Sequence, residues 1–167
     1  MSWSFERLYS GLAPPVGGYL RVQGASEPDD VTSEVFLGVF TGIKSFEGTE
    51  AQFRSWVFTI AHRKLIDERR RLARRRWSPA GDLAAFDQTG GDVEVDALDV
   101  LGSQRVLEWC AGLSADQRDV LVLRVVGDLT VEQVSAIVGK SVGAVKALQR
   151  RALSSLRQQL EKEGVTL

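Results

Sequence analysis

Arginine and lysine are concentrated in one stretch of this 167-residue chain. Between His62 and Arg76, eight basic side chains stand against only Asp67 and Glu68, which gives a net charge of +6. Aromatic side chains precede this run, beginning at Phe53. Arginine and lysine neutralise phosphates, and aromatic rings stack on unpaired bases. Because charges of one sign repel each other, the stretch predicts a polyanionic partner, and the nearby aromatics favour single-stranded DNA.

The aromatic residues also allow a second interpretation. Phe53, Trp56 and Ile60 share one face of a predicted helix, a pattern typical of side chains that pack in a core. We therefore expect base contacts from the preceding loop and from the polar face of the helix. His62 lies within the basic stretch, and we interpret it as either close to DNA or partly buried.

A second polar surface is predicted near the C-terminus. A helix opens at Thr130, Gly139-Lys140-Ser141 makes a short turn, and an amphipathic helix follows. This is the spacing of a helix-turn-helix motif, whose second helix lies in the major groove. The outward residues of that second helix are Ser141, Lys146, Gln149, Arg150 and Arg151.

These outward side chains suit base recognition, since glutamine can pair with adenine, arginine with guanine, and lysine can neutralise phosphate. The alternative is an ordinary helical hairpin with a basic solvent-facing side. Glycine-turn helix pairs are common, so the motif by itself does not decide between the two.

The chain holds few of the residues that enzyme active sites commonly use. His62 is the only histidine and Cys110 the only cysteine, which leaves very few residues for a Cys-His or Ser-His-Asp site and excludes an internal disulfide and a thiolate-rich zinc site. Gly139-Lys140-Ser141 imitates the end of a phosphate-binding loop, but Val134 stands where that loop requires glycine. We predict a protein that is not an enzyme, with no cofactor, no metal and no small-molecule substrate, and a core position for Cys110.

Helices with capping signals must position these surfaces. The first is predicted to end at Pro14-Pro15, with a short segment at 19–22 after it. Ser26 is the predicted N-cap of the next helix. Thr49 with Gln52 forms a capping box for a helix that continues to about Arg76. Ser114 with Gln117 and Thr130 with Gln133 form two more.

The fold class expected is all-α, with two small helical domains at 1–76 and 104–167. Residues 77–103 between them are rich in Gly, Pro, Ser and Thr, and hold six acids with no Lys or Arg before Arg105. We predict a flexible linker extended by charge repulsion. No apolar stretch is long enough to span a bilayer, and the first residues lack the pattern of a signal peptide. A cytoplasmic protein without membrane insertion is expected.

Three segments together resemble the extracytoplasmic-function sigma factors of bacterial RNA polymerase. They are PDDVTSEVFLGVF (28–40), GTEAQFRSWVFTIAHRKLIDERRR (48–71) and LSADQRDVLVLRVVGDLTVEQVSAIVGKSVGAVKALQRRALSSLR (113–157). They stand in the family's order and cover nearly the whole chain apart from the linker. The resemblance implies a transcription initiation factor with a promoter-melting domain followed by a helix-turn-helix domain.

The resemblance also implies roles for individual residues. The polymerase-docking residues would be Asp29, Asp30, Ser33, Glu34 and Leu37. The -10 promoter motif would be contacted by Thr49, Trp56, His62, Arg63, Lys64, Asp67, Arg70 and Arg71. The -35 motif would be read by Ser141, Lys146, Gln149 and Arg150.

The partners expected are RNA polymerase core enzyme, promoter DNA and an anti-sigma factor that restrains the protein when idle. The acidic linker has the same position in the sequence as a linker of the family that passes through the RNA exit path of the polymerase. We hypothesise that its negative charge mimics RNA there. The main alternative is a regulator that binds duplex DNA without polymerase. A third interpretation is a helical interaction protein whose basic faces bind DNA weakly and without sequence preference.

Overall fold

The computed structural model describes residues 4–77 and 97–164, and within these ranges the chain forms helices and no β-strand. The first three helices are α1 (Phe5–Val22), α2 (Pro28–Gly42) and α3 (Glu50–Arg76), with a 3-10 turn at Ile43–Ser45. The other four are α4 (Ala97–Ala111), α5 (Ala115–Val125), α6 (Val131–Val138) and α7 (Val142–Lys162). The prediction of an all-α fold is confirmed. We refer to α1–α3 as the N-terminal unit and to α4–α7 as the C-terminal unit.

The first helix does not stop at its prolines. The prediction that it ends at Pro14-Pro15 is wrong, because α1 runs unbroken from Phe5 to Val22. The prolines deprive the carbonyls of Ser10 and Gly11 of their helical partners, and both residues are exposed, so water can satisfy them. Burial of the opposite face, which includes Val16 and Leu20, offsets the remaining cost.

The start of α2 also differs from the prediction. Ser26 is not its N-cap, since the helix begins with Pro28 at its first position. Ser26 instead donates two hydrogen bonds to the Glu68 carboxylate, one from its backbone N–H at 3.0 Å and one from its hydroxyl. The serine therefore ties the loop between α1 and α2 to the middle of α3.

All three predicted capping boxes are confirmed. In each, the hydroxyl of the N-cap residue accepts from the backbone N–H three residues on, and the glutamine there accepts from the N-cap N–H. The pairs are Thr49 with Gln52, Ser114 with Gln117, and Thr130 with Gln133. The boxes fix where α3, α5 and α6 begin, so the loops before them enter at set positions.

The predicted linker is shorter in the structure than in the sequence interpretation. α4 begins at Ala97, so residues 97–103 are helical and not extended. Residues 78–96, with five of the six linker acids, lie outside the described residues.

The N-terminal unit packs its three helices around one apolar core. α1, α2 and α3 each contribute fully or nearly fully buried side chains, and α2 packs against both of its neighbours. The largest of these side chains are Tyr19, Leu20, Phe36, Phe53, Phe58 and Leu65. This packing fixes α3 over most of its length and leaves its far side open.

The C-terminal unit holds the predicted helix-turn-helix. α6 ends at Gly139, whose φ of 70° is the left-handed conformation that glycine accepts most readily, and Ser141 then caps α7. Val134 and Val145 are fully buried between the two helices. α7 also packs against α5 and α4, while Lys146 and Arg150 in its first half are exposed.

The two units are packed directly against each other. Buried side chains of both units belong to one continuous apolar cluster, which includes Tyr19 of α1 and Leu123 of α5. Val22 of α1 packs on a second cluster formed by Cys110, Leu113, Leu121 and Ala152. Sequence reasoning treated the units as separate and did not predict this contact.

Candidate nucleic-acid interface

The outward side of α3 is a basic surface. Arg63, Arg70 and Arg71 are exposed, as is Asp67, and the arginines at 74–76 extend the positive charge to the end of the helix. Lys64 is half-buried, and its Nζ lies 3.8 Å from Oε2 of Glu34 in α2. We call Arg63, Lys64, Asp67, Arg70 and Arg71 the basic face of α3. The packing of α1 and α2 on the other side of the helix leaves this face open to a partner.

The N-terminal end of α3 carries an aromatic pair. The rings of Trp56 and Phe46 are stacked, with centroids 5.3 Å apart and an interplanar angle of 14°. Gly42 makes room for them, because a Cβ at that position would lie 2.8 Å from the Trp56 ring. Thr49 is exposed just beyond, with its hydroxyl engaged in the α3 cap. The predicted base-contact residues Thr49 and Trp56 therefore lie at one end of the basic face.

His62 is placed differently from the other predicted DNA contacts. It is buried, and its Nδ1 lies 2.8 Å from the Tyr19 hydroxyl. Burial, with a smaller contribution from the Arg69 guanidinium, lowers the pKa of His62 below its usual 6.5. A neutral imidazole in the core does not face DNA, so the buried interpretation of His62 fits this geometry.

Two further α3 side chains turn inward and were not singled out by the sequence. Glu68 is buried and accepts both bonds from Ser26. Arg69 donates to Gln23 at 3.2 Å and lies 3.7 Å from the buried Asp119 carboxylate of α5. The signal available was their position, six and seven residues after His62, close to the inner side of the helix. The basic run is thus split between a surface and an internal contact.

The free side of α7 carries the predicted helix-turn-helix residues. Lys146 and Arg150 are exposed. Gln149 is half-buried and its side-chain oxygen accepts from Nε of Arg124 at 3.2 Å, which holds the amide in place. Ser141 is exposed, and its hydroxyl accepts from the Ala144 N–H at 3.1 Å. Lys146, Gln149 and Arg150 form what we call the reading face of α7.

α2 presents a third surface. Asp29, Asp30, Ser33 and Glu34 are exposed, and the Ser33 hydroxyl donates within the helix to the Asp29 carbonyl at 3.1 Å. Leu37 is 66% exposed and Phe40 61%. Phe40 was not among the docking residues expected from the sequence. These residues, from Asp29 to Phe40, form an acidic and apolar surface that we call the docking surface.

The remaining chemistry-bearing groups form no reactive site in the described ranges. Cys110 is buried in the C-terminal cluster, as predicted, and burial raises the pKa of its thiol. Residues 4–77 and 97–164 bring together no group of His, Cys, Asp or Glu suited to a metal ion. Over the same ranges no helix has the length and apolarity needed to cross a bilayer.

Two regions of the chain match known protein families. Residues 8–75 match the family described as Sigma-70 region 2, and residues 109–158 match Sigma-70, region 4. The first match contains α2 and nearly all of α3, and the second contains the helix-turn-helix.

Several curated relatives share most of the chain. It is 33% identical over 136 residues to the ECF RNA polymerase sigma factor SigD of Mycobacterium tuberculosis. The aligned region covers 81% of this chain and 64% of SigD. It is 31% identical over 163 residues to the ECF RNA polymerase sigma factor RpoE of Cereibacter sphaeroides, covering 94% of this chain and 86% of RpoE. The chain thus spans slightly less than two thirds of SigD and most of RpoE.

Solved structures show the same fold. The sigma factor RpoE of Bartonella quintana, crystallised with the anti-sigma factor NepR, has a TM-score of 0.70 at 20% identity, covering 94% of this chain and 96% of that one. CnrH, in complex with the cytosolic domain of CnrY, has a TM-score of 0.64 at 22% identity, with 95% and 88% covered. The relatives are sigma factors, which regulate transcription and are not enzymes. With both sigma regions in order and relatives that align along most of its length, this chain belongs to the extracytoplasmic-function family of RNA polymerase sigma factors.

Proposed function

We propose that this chain directs bacterial RNA polymerase core enzyme to specific promoters. The observation that supports this most directly is the presence of three exposed surfaces of different chemistry on one chain. They are the acidic and apolar docking surface of α2, the basic face of α3 and the reading face of α7. A regulator that only binds duplex DNA would need the last of these alone.

The basic face of α3 is proposed to hold the -10 motif while its strands are separated. Arg63, Lys64, Arg70 and Arg71 would contact phosphates, with Asp67 among them. The loop before α3, with Thr49 and the edge of Trp56, would receive an unpaired base. Stacking contributes roughly 1–3 kcal/mol per base, so a few such contacts could offset the opening of one or two base pairs.

The reading face of α7 is proposed to lie in the major groove at the -35 motif. Lys146 and Arg150 extend into solvent, and Gln149 is oriented by Arg124. A pre-oriented amide loses little freedom when it pairs with a base, and arginine can bind guanine at two points. Ser141, at the N-terminus of α7, would approach the backbone of the DNA.

The docking surface is proposed to bind the polymerase core enzyme. Leu37 and Phe40 are large apolar side chains in water, flanked by the carboxylates of Asp29, Asp30 and Glu34. Large exposed apolar groups rimmed by charge are typical of protein–protein interfaces. The acidic rim would steer the chain toward a basic partner surface.

An anti-sigma factor is proposed as the partner that restrains the protein when it is idle. The related RpoE was crystallised with such a factor. The same docking surface is accessible here, and a protein that covered it would compete with polymerase. Recovery of only free or polymerase-bound chain from unstressed cells would contradict this partner. With polymerase and promoter as partners, we place the protein in the cytoplasm, with one domain at 1–76 and a second that begins with α4.

Transcription with purified core enzyme on a library of promoters tests the proposal. We expect starts at a defined set of promoters that core enzyme alone does not use, and co-purification of the chain with core enzyme. Starts no different from those of core enzyme alone would contradict it. Sequence-specific duplex binding without polymerase association would instead identify the regulator that binds DNA on its own.

A further inference from the structure

The contact between the two units combines an apolar part with a few long polar interactions. In α1, Gly18 faces Val126 at the end of α5, where a Cβ on the glycine would lie 3.9 Å from the valine methyl. Arg54 donates to the Gly127 carbonyl and Gln133 to the Ala51 carbonyl, both at 3.4 Å. Both hydrogen bonds are near the upper limit of useful length. We call this region, together with the Arg69–Asp119 pair, the interunit contact.

Asp119 is a buried and incompletely hydrogen-bonded carboxylate in the interunit contact. Its residue is only 7% exposed, and its Oδ1 accepts no hydrogen bond from the part of the chain that the structure describes. The closest cation, Nη2 of Arg69, is 3.7 Å away and donates its hydrogen bond to Gln23 instead. A buried carboxylate whose Oδ1 accepts no hydrogen bond costs free energy that a neutral side chain would not cost.

The titration of Asp119 agrees with this geometry. Burial raises its pKa from 3.8 to about 6, against the opposing attraction of Arg69. The groups that act on it come from several elements: Tyr19 of α1, Arg69 of α3, Asp116 and Arg118 of α5, and Lys140 before α7. Desolvation therefore outweighs the pairing with Arg69, and two of the groups near the carboxylate, Tyr19 and Arg69, belong to the N-terminal unit.

The proposed function requires the units to separate. The -10 and -35 motifs lie about 25 base pairs apart, or roughly 85 Å along B-form DNA. A compact chain of this length has a radius of gyration of about 15 Å, and so a diameter of about 40 Å. The basic face of α3 and the reading face of α7 cannot occupy both motifs at once while α1 and α5 remain packed together.

We infer that Asp119 is a release element of the interunit contact: its buried, incompletely paired carboxylate keeps the closed arrangement weak enough to open when the chain binds polymerase and promoter. The closed arrangement is the one seen here, and the open one has the two units apart. The role of the opening in transcription rests on the proposed function. The weakness of the interunit contact is a property of the free chain and can be measured without polymerase.

The test compares wild type with Asp119→Asn, which keeps the shape and removes the charge. Asp116→Asn is the matched control, because Asp116 is on the same helix and its side chain is exposed and paired with Lys140 at 3.6 Å. Dyes at Ser10→Cys and Ser154→Cys, both exposed positions, report the distance between units by single-molecule energy transfer, while the native Cys110 stays buried. Small-angle scattering of the unlabelled chains gives an independent measure of compactness.

At pH 7.5 we expect Asp119→Asn to lower the ratio of open to closed chains at least tenfold, and Asp116→Asn to change it less than twofold. Promoter-directed starts at limiting core enzyme should fall with Asp119→Asn and recover when core enzyme is raised about tenfold. An unchanged or increased open fraction in Asp119→Asn would overturn the inference, even if wild type transcribes normally. Should Asp119→Asn close the chain while neither protein supports promoter-directed starts, the proposed function fails and the weakness of the contact stands.

Discussion

The phenolic oxygen of Tyr19 lies 2.8 Å from Nδ1 of His62, and the bond joins α1 to α3 inside the N-terminal core. Burial raises the pKa of Tyr19 well above 10 and lowers that of His62. At neutral pH the tyrosine is therefore protonated and the imidazole neutral, which suits a hydroxyl that donates to Nδ1. The only histidine of the chain thus serves to hold two helices together.

Removal of the Tyr19 hydroxyl should destabilise the fold. We expect Tyr19→Phe to lower the free energy of unfolding by about 1–3 kcal/mol, because Nδ1 of His62 is left buried without its partner. Urea denaturation at pH 7.5 measures the change. The double variant Tyr19→Phe/His62→Leu is the control, since removing both polar groups should cost less than the sum of the single changes. Strict additivity would show that the two groups are not coupled.

Acidification should favour the closed arrangement through Asp119. Its pKa is about 6 in the closed chain against 3.8 without burial, so the closed chain binds the proton more tightly. The contribution is fully present below about pH 4 and is lost as the pH rises through 6. Between pH 5 and 7 the open-to-closed ratio should rise by up to about tenfold, or about 1.4 kcal/mol, the bound reached when opening exposes the Asp119 carboxylate to water.

Energy transfer between the two units measures this pH dependence. His62 has the opposite pH dependence, and it acts on the stability of the folded core. Its pKa is lower in the folded core than in the unfolded chain, so its neutral form stabilises the core above about pH 6.5. That stabilisation is lost as the pH falls through the lowered pKa. The Asp119→Asn chain retains His62 and isolates the contribution of Asp119. Equal pH profiles for wild type and Asp119→Asn would contradict the assignment.

Gly42 should be needed for the aromatic pair at the start of α3. We expect Gly42→Ala to displace Trp56 from Phe46 and cost about 1–3 kcal/mol, because the new Cβ would lie 2.8 Å from the Trp56 ring. Gly38→Ala on the same helix is the control: its Cβ would make an ordinary 3.7 Å contact with Ile60, and alanine should stabilise α2 by up to about 1 kcal/mol. Thermal unfolding and tryptophan fluorescence distinguish the two. A Gly42→Ala chain as stable as Gly38→Ala would show that the ring adjusts freely.

The reading face of α7 should determine which -35 motif is used. Lys146→Ala and Arg150→Ala are expected to weaken binding by roughly 1–3 kcal/mol per lost base contact. Arg157→Ala is the control, because Arg157 lies further along α7 and pairs with Glu161 at 3.6 Å. Run-off transcription across promoters that differ only at -35 is the measurement. Unchanged promoter choice in the Lys146 and Arg150 variants would remove them from the reading face.

Leu37 should contribute to polymerase binding and little to folding. We expect Leu37→Ser to weaken association with core enzyme about tenfold or more and to change the free energy of unfolding by less than about 0.5 kcal/mol, because the side chain is 66% exposed. Val125→Ser, which alters an apolar side chain 69% exposed in the C-terminal unit, is the control. Equal affinities for the two variants would place the docking surface elsewhere.

Local signals were sufficient for much of this fold. Capping boxes predicted the starts of α3, α5 and α6, because serine or threonine with a glutamine three residues on satisfies backbone groups wherever a helix begins. Pro14-Pro15 misled the same reasoning, since a buried face and hydrated carbonyls let α1 continue through them. Rules based on neighbouring residues do not include the burial that the rest of the fold provides.

The interunit contact could not be predicted from residue patterns. Arg69 and Asp119 are fifty residues apart, and each is unremarkable in its own helix, with Arg69 one of many basic side chains. Only the packing of the two units against each other brings them together. The same applies to His62, whose burial depends on Tyr19 lying opposite it.

α3 is one unbroken helix of 27 residues, about 40 Å from end to end. Its stiffness fixes how far the stacked rings at its first turns lie from the arginines at its last turns. Under the proposed function, a single strand that contacts both ends of α3 must present its unpaired base and its phosphates at that separation. A strand with one extra nucleotide between these two positions is expected to bind more weakly than the matched strand.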